Sequence, residues 1–247
     1  MTDLTEAAGL TDAADIAREC ATDTSLAALL LLSDGRFPAG GHAHSGGAEA
    51  AVADGRVHDA ADLADFCRGR LHTAGLVAAA LAAAATAGLD PLALDDAADA
   101  RTPSLALRTV SRRLGRQLMR AARATWPSAG LDGLAAARPR GAHQPVVLGL
   151  AAQAAGLRPL HAGYAAAYES AAGPATAAVR LLSLDPFHAA AVLARLAPQI
   201  DATARAAADA AARATTEGLT ALPAACAPLL DISAEQHAAW PVRLFAS

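Results

Sequence analysis

The sequence predicts an all-α protein, a single compact helical domain of about eight to ten helices. Three observations predict it. Alanine, the strongest helix former, supplies most of the 54% hydrophobic content, while only 3% is aromatic, so the core has to come from closely approaching helices. Leucine, valine and alanine recur at the three- and four-residue spacing of a buried helix face. No alternation of apolar and polar residues persists long enough for a strand.

Residues 1–24 hold six acids and one arginine with little apolar periodicity, and read as a flexible acidic tail ahead of a helical domain over 25–247. From Ser25, Leu26, Leu29 and Leu30 open an amphipathic helix that stops at Asp34-Gly35 and Phe37-Pro38. A glycine loop follows, after which Ser45 is placed to cap a short helix through about Ala53. Asp59 and Asp62 resemble a capping box opening a long helix through Leu63, Phe66, Leu71, Val77 and Leu81 to Gly88 and Pro91. Its stretch 71–89 carries no Asp, Glu, Lys or Arg, but alanine, glycine and threonine dominate it, so a buried core helix is expected rather than a membrane span.

Asp95-Asp96 sit in an apparent connector. Thr102-Pro103 then reads as cap and first turn of a helix with the apolar line Leu107, Val110, Leu114 and Leu118. The stretch from Trp126 through ARPRGAHQP reads as loop. Further helix starts are expected at Pro145, Pro159, Pro174 and Asp185-Pro186. A last helix is expected over 199–216, ending at Gly218, before an irregular docking tail over about 223–247.

All 20 basic residues are arginine, which excludes phosphate loops and Schiff-base sites that depend on lysine. Cys20, Cys67 and Cys226 are far apart and form no CxxC pair, so neither a disulfide framework nor a thiolate zinc site is indicated. A reducing cytoplasm is the simplest home, and the acidic start is wrong for a secretion signal. No nucleophile–base pair is legible, since Ser45 beside His44 in sequence does not give triad geometry, and no cofactor is indicated.

Three features remain. His42 and His44 offer two imidazoles of the kind that suit nickel, copper or zinc, although a stable site wants three or four ligands; an intrinsic metal site is not expected. Arg108, Arg112, Arg116 and Arg120 recur every fourth residue in a stretch without acids; carboxylates elsewhere in the fold or an acidic partner surface would answer their repulsion, and a merely solvated face is the largest single alternative. Nucleic acid is disfavoured by the net charge of −4 and the scarcity of aromatics. Last, the chain ends in Trp240-Pro241-Val242-Arg243-Leu244-Phe245, whose apolar side chains either fold back or enter a partner's groove.

Four blocks together resemble one family. LLLLSDGRFPAGGHAHSGGAEAAVADGRV is similar to the N-terminal block of the urease accessory protein UreF family through Asp34, Pro38, Gly40, Gly41, His44, Ser45, Gly47 and Glu49. His42 stands where the family carries an aromatic, and Ala48 where it carries leucine. SRRLGRQLMRAA resembles the family's S-x-x-L-G helix, and HQPVVLG its H-x-P-V-x-x-G segment through His143, Pro145, Val146 and Gly149. The closing H-x-x-x-x-x-R-L-F-x-S is matched by His237, Arg243, Leu244, Phe245 and Ser247.

The resemblance implies an all-helical homodimer without chemistry of its own. It further implies an adaptor that joins the accessory protein UreD (also UreH) and recruits the GTPase UreG for GTP-dependent nickel insertion into apo-urease, with the C-terminal segment on UreD. Two alternatives stand beside it: a direct nickel carrier using His42 and His44, and a helical nucleic-acid-binding regulator using the arginine-rich helix.

Overall fold

The structure, a computed structural model, describes residues 26–245; the acidic segment expected to be flexible, Cys20 and Ser247 lie outside them. The fold is all-α, with no β-strand among the described residues. After a first helix within residues 26–33 (α1) come α2 (Ala48–Ala53), α3 (Ala60–Arg70), α4 (Leu76–Thr86), α5 (Pro91–Ala100) and α6 (Leu105–Thr125). They are followed by α7 (Ala129–Ala137), α8 (Gln144–Ala154), α9 (Pro159–Leu181), α10 (Pro186–Glu217) and α11 (Pro228–Ala238).

Helix α4 is the centre. It packs against α8, α9 and α10, and Ala79 to Ala85 are no more than 2% exposed, so this helix is buried on every side as its uncharged sequence requires. Alanine lets the axes come close. At the α4–α8 crossing a Cβ on Gly149 would lie 2.3 Å from the Ala82 carbonyl oxygen, so only glycine fits there. The Thr86 hydroxyl spans the same crossing, within 2.9 Å of both the Ala82 and the Gly149 carbonyl oxygens. No described helix is long and apolar enough to cross a membrane.

The long helix expected from Asp59 is realised as α3 and α4 joined through a π-helical turn at Leu71–Gly75. Asp59 accepts the amides of Ala61 and Asp62, while Asp62 reaches back to the His58 amide instead of closing a capping box.

Several boundaries differ from the sequence reading, each for a local reason. Pro91 does not only stop α4; with Asp90 accepting the Leu92 and Ala93 amides it opens α5, so the expected connector is a helix. Ser104, not Thr102, caps α6 by accepting the Leu107 amide. In the expected loop, Ser128 starts α7 through the Leu131 amide. Gly47 rather than Ser45 occupies the cap position of α2, although the Ser45 hydroxyl still accepts the Glu49 amide at 3.3 Å.

Pro174 starts nothing and lies inside α9. A proline there removes the amide that would bond the Ser170 carbonyl one turn back. Arg70 supplies the missing donor, its Nε lying 3.0 Å from that oxygen. The expected 199–216 helix is the second half of α10, which continues through Pro198 and ends at Gly218 as read. The region read as an irregular tail contains α11, opened by Pro228.

Candidate functional site

The glycine loop runs between α6, α9 and α11. Gly40 and Gly47 have φ of 80° and 90°, and a Cβ would strike the Gln117 side chain in the first case and the Leu230 side chain in the second. Glycine therefore lets the loop press flat against α6 and α11, and it delivers Glu49 to the first turn of α2.

Glu49 is the organising residue. It is buried, and its two oxygens receive three donors: the Leu244 amide at 2.7 Å on one, with His237 Nε2 at 2.9 Å and the Phe245 amide at 3.0 Å on the other. Burial alone would raise its pKa. The three hydrogen bonds outweigh it and hold the carboxyl below the ordinary glutamate value, and the α2 N-terminus favours the same charge.

The C-terminal segment is thereby folded back on its own chain. Phe245 is buried with the Arg180 guanidinium 5.1 Å from its ring centre, and His237 lies 4.6 Å from the Trp240 ring. Arg243 stays exposed, as do Val242 at 80% and Leu244 at 64%. Of the tail residues singled out from sequence, His237 and Phe245 are anchors inside the molecule, while Arg243 and Leu244 face solvent. Glu49, singled out from sequence as a position of the first block, is the residue they converge on.

A second cluster fixes the start of α8. Asp95, fully buried and not exposed as its expected connector position suggested, accepts Arg112 Nη1 at 3.0 Å, Arg138 Nε at 2.8 Å and the His143 amide at 2.7 Å. Asp99 takes Arg112 Nη2 at 2.6 Å and lies 2.9 Å from His143 Nε2; His143 Nδ1 faces the Ser111 hydroxyl at 3.0 Å. Burial lowers the His143 pKa, which fits a neutral ring donating from Nε2 to Asp99 and accepting from Ser111. Desolvation would raise Asp99, but its bonds to His143 and Arg112 leave it lowered. The order hydroxyl–imidazole–carboxylate is that of a hydrolytic relay. Here, however, Ser111 Oγ also accepts the Gln144 amide at 3.2 Å and Asp99 is held by Arg112, so the chain acts as a clamp on α5, α6 and α8.

Between these clusters lies a groove of about 700 Å³ with apolar walls including Leu32, Val77 and Leu114. Arg70 and Glu169 line it. Glu169 is exposed and accepts the Gln144 side-chain amide at 2.7 Å. His42 is exposed whereas His44 is buried, and among the described residues no three His, Cys, Asp or Glu side chains converge as a metal site.

The arginine ridge divides. Arg112 turns inward to Asp95 and Asp99, and Arg108 lies 4.0 Å from Asp99 and bonds the Thr102 carbonyl. Arg116 bonds the Arg140 carbonyl, and both Arg116 and Arg120 remain exposed. A four-residue step drifts about 40° per step on an α-helix, so one ridge cannot keep to one face.

Comparison with known proteins gives these clusters a context. The UreF family model matches residues 57–197. A urease accessory protein UreF of Mycolicibacterium vanbaalenii is 45% identical over 91% of this chain and its own full length. One of Mycobacterium sp. (strain JLS) is 44% identical with the same coverage, and one of Mycobacterium tuberculosis 42% identical over 87% of this chain and 95% of its own. The chain belongs to the UreF family.

In this UreF chain the four sequence blocks pair off in space. The first block meets the last through Glu49 with His237, Leu244 and Phe245. The second meets the third through Ser111 with His143 and Gln144. Gly149 and Pro145 serve the packing and the start of α8. The residues missed from sequence, Asp95, Asp99, Arg138 and Arg180, lie on the far sides of these pairs. Only the absence of nearby acids around the arginines hinted that such partners had to exist.

Proposed function

We propose that this UreF chain is a non-catalytic adaptor in urease maturation. It joins a UreD/UreH-like protein through its C-terminal segment and recruits a UreG-like GTPase. As a cytoplasmic homodimer it supports GTP-dependent nickel insertion into apo-urease. The observation that carries the reading is the pinned tail: Glu49 fixes the backbone at Leu244 and Phe245, so Val242, Arg243 and Leu244 are presented in one ordered shape. Preordering an exposed apolar pair beside an arginine lowers the entropy lost on docking. Exposed large apolar residues are also what a docking surface supplies.

The test is co-purification of the full chain with a UreD homologue. Deleting Val242 to Ser247 is expected to abolish capture while helicity is retained. Because deletion also uncovers Glu49, the double substitution Val242→Asp with Leu244→Asp is the companion variant; both side chains are exposed, so folding is spared. Capture at wild-type level by both variants overturns the assignment.

A further inference from the structure

The outer face of α6 carries a stripe that the internal ion pairs leave open. Leu105, Thr109, Arg113, Arg116, Arg120 and Arg123 are all exposed and recur at three- and four-residue spacing. Of the four arginines only Arg123 has a carboxylate within 4.0 Å among the described residues, Asp132 at 2.6 Å. Like charges so arranged destabilise an isolated helix. Yet they stand in a chain of net charge −4.

The missing negative charge is concentrated elsewhere. Residues 1–25 hold six acids, Asp3, Glu6, Asp12, Asp15, Glu19 and Asp23, against the single Arg18. The remaining residues hold eighteen acids and nineteen arginines. The chain is thus an acidic arm on a slightly basic body.

The loop that follows α1 reaches the helix that carries the stripe. Downstream of α1 the Phe37 ring stacks on Trp126, at the end of α6, with ring centres 5.7 Å apart, and Gly40 lies against Gln117 of the same helix. Twenty-five residues reach far beyond the length of α6. Beside the stripe, a hollow of about 190 Å³ lined by Met119, Leu134, Arg116 and Arg120 has room for an apolar side chain such as Leu10 or Ile16.

We infer that the stripe Arg113–Arg116–Arg120 is a docking surface for this chain's own acidic N-terminal segment. Opposite charge selects the segment, and tethering supplies an effective concentration on the order of millimolar. The contact is electrostatic and exposed, so it weakens as salt shortens the screening length from about 10 Å at 0.1 M to about 3 Å at 1 M.

Arg18 makes the arm its own reporter. Tryptic cleavage after Arg18 in the full-length protein is followed by mass spectrometry at low and high salt. Cleavage of a docked segment tracks its open population, so at low salt the wild-type rate is expected to be about tenfold below that of the Arg113→Gln/Arg116→Gln/Arg120→Gln variant. At 1 M salt the two rates converge. A second variant, Asp12→Asn/Asp15→Asn/Glu19→Gln, leaves the body untouched and is expected to lose the protection equally. Equal low-salt rates in wild type and both variants overturn the inference and leave the stripe to a partner protein. Protection that grows with protein concentration overturns it as well, assigning the arm to a second copy.

Discussion

Glu49→Gln is the sharpest perturbation of the tail. The amide keeps the shape of the carboxyl but turns one acceptor into a donor. In the native arrangement one oxygen accepts the Leu244 amide and the other accepts both His237 Nε2 and the Phe245 amide. An amide can satisfy at most one of these sets and sets N–H against N–H at the other. Hydrogen bonds to a charged group are worth about 1.5–3 kcal/mol each; one is lost with the better orientation, and the other two weaken because they now end on a neutral carbonyl oxygen. Because the tail is terminal, it can open alone, and water recovers part of the loss. An opening free energy reduced by about 3 kcal/mol is expected, about a hundredfold in population. Amide hydrogen exchange reads it directly: the Leu244 and Phe245 amides should exchange about a hundredfold faster, while α4 and α10 change little. Unchanged exchange at both amides would refute the role given to Glu49.

Further expectations follow from the same geometry. The Glu49 pKa is depressed, so its stabilisation is present above the ordinary carboxylate range and fades as pH falls through its lower folded value; Trp240 fluorescence in a Trp126→Phe background should report tail release only in that acid range. His143 is held neutral by burial, so global stability should decline as pH drops below about 6.5, where the unfolded chain takes up a proton that the native ring refuses; urea midpoints across pH 5–8 test this, and His143→Gln should flatten the slope. Gly149→Ala pushes a methyl to 2.3 Å from the Ala82 carbonyl oxygen and should cost about 1–3 kcal/mol by denaturant melts. Arg70→Met strands the Ser170 carbonyl and should cost about 1–3 kcal/mol, but about 1 kcal/mol less in a Pro174→Ala background, where the restored amide can serve that oxygen.

Much of this architecture was legible from residue spacing. The alanine-rich α4 could only be a core helix, and Asp59, Gly88 and Gly218 marked real helix limits. Prolines were harder to read. Pro91, Pro159 and Pro186 occupy first turns, while Pro174 sits mid-helix only because Arg70, 100 residues from Ser170 in sequence, completes the hydrogen bonding. A single residue carries no trace of such a distant donor.

The candidate site was legible as motifs but not as contacts. Glu49 and His237 each stood out, yet their pairing spans 188 positions and appears only once α11 packs on the glycine loop. The arginine ridge showed the converse. Its four-residue period was visible, but which arginines face Asp95 and Asp99 depended on α5, a helix whose start was hidden behind a proline.

We propose that an ordered tail, held by Glu49, presents Leu244 and its neighbours to a partner protein. Calorimetric titration of the purified UreD homologue with the full chain tests it most directly. Leu244→Asp and Glu49→Gln are each predicted to weaken binding by at least tenfold with unchanged circular dichroism, the first by spoiling the surface and the second by releasing its shape. Wild-type affinity in Leu244→Asp would show that the tail is not the docking surface.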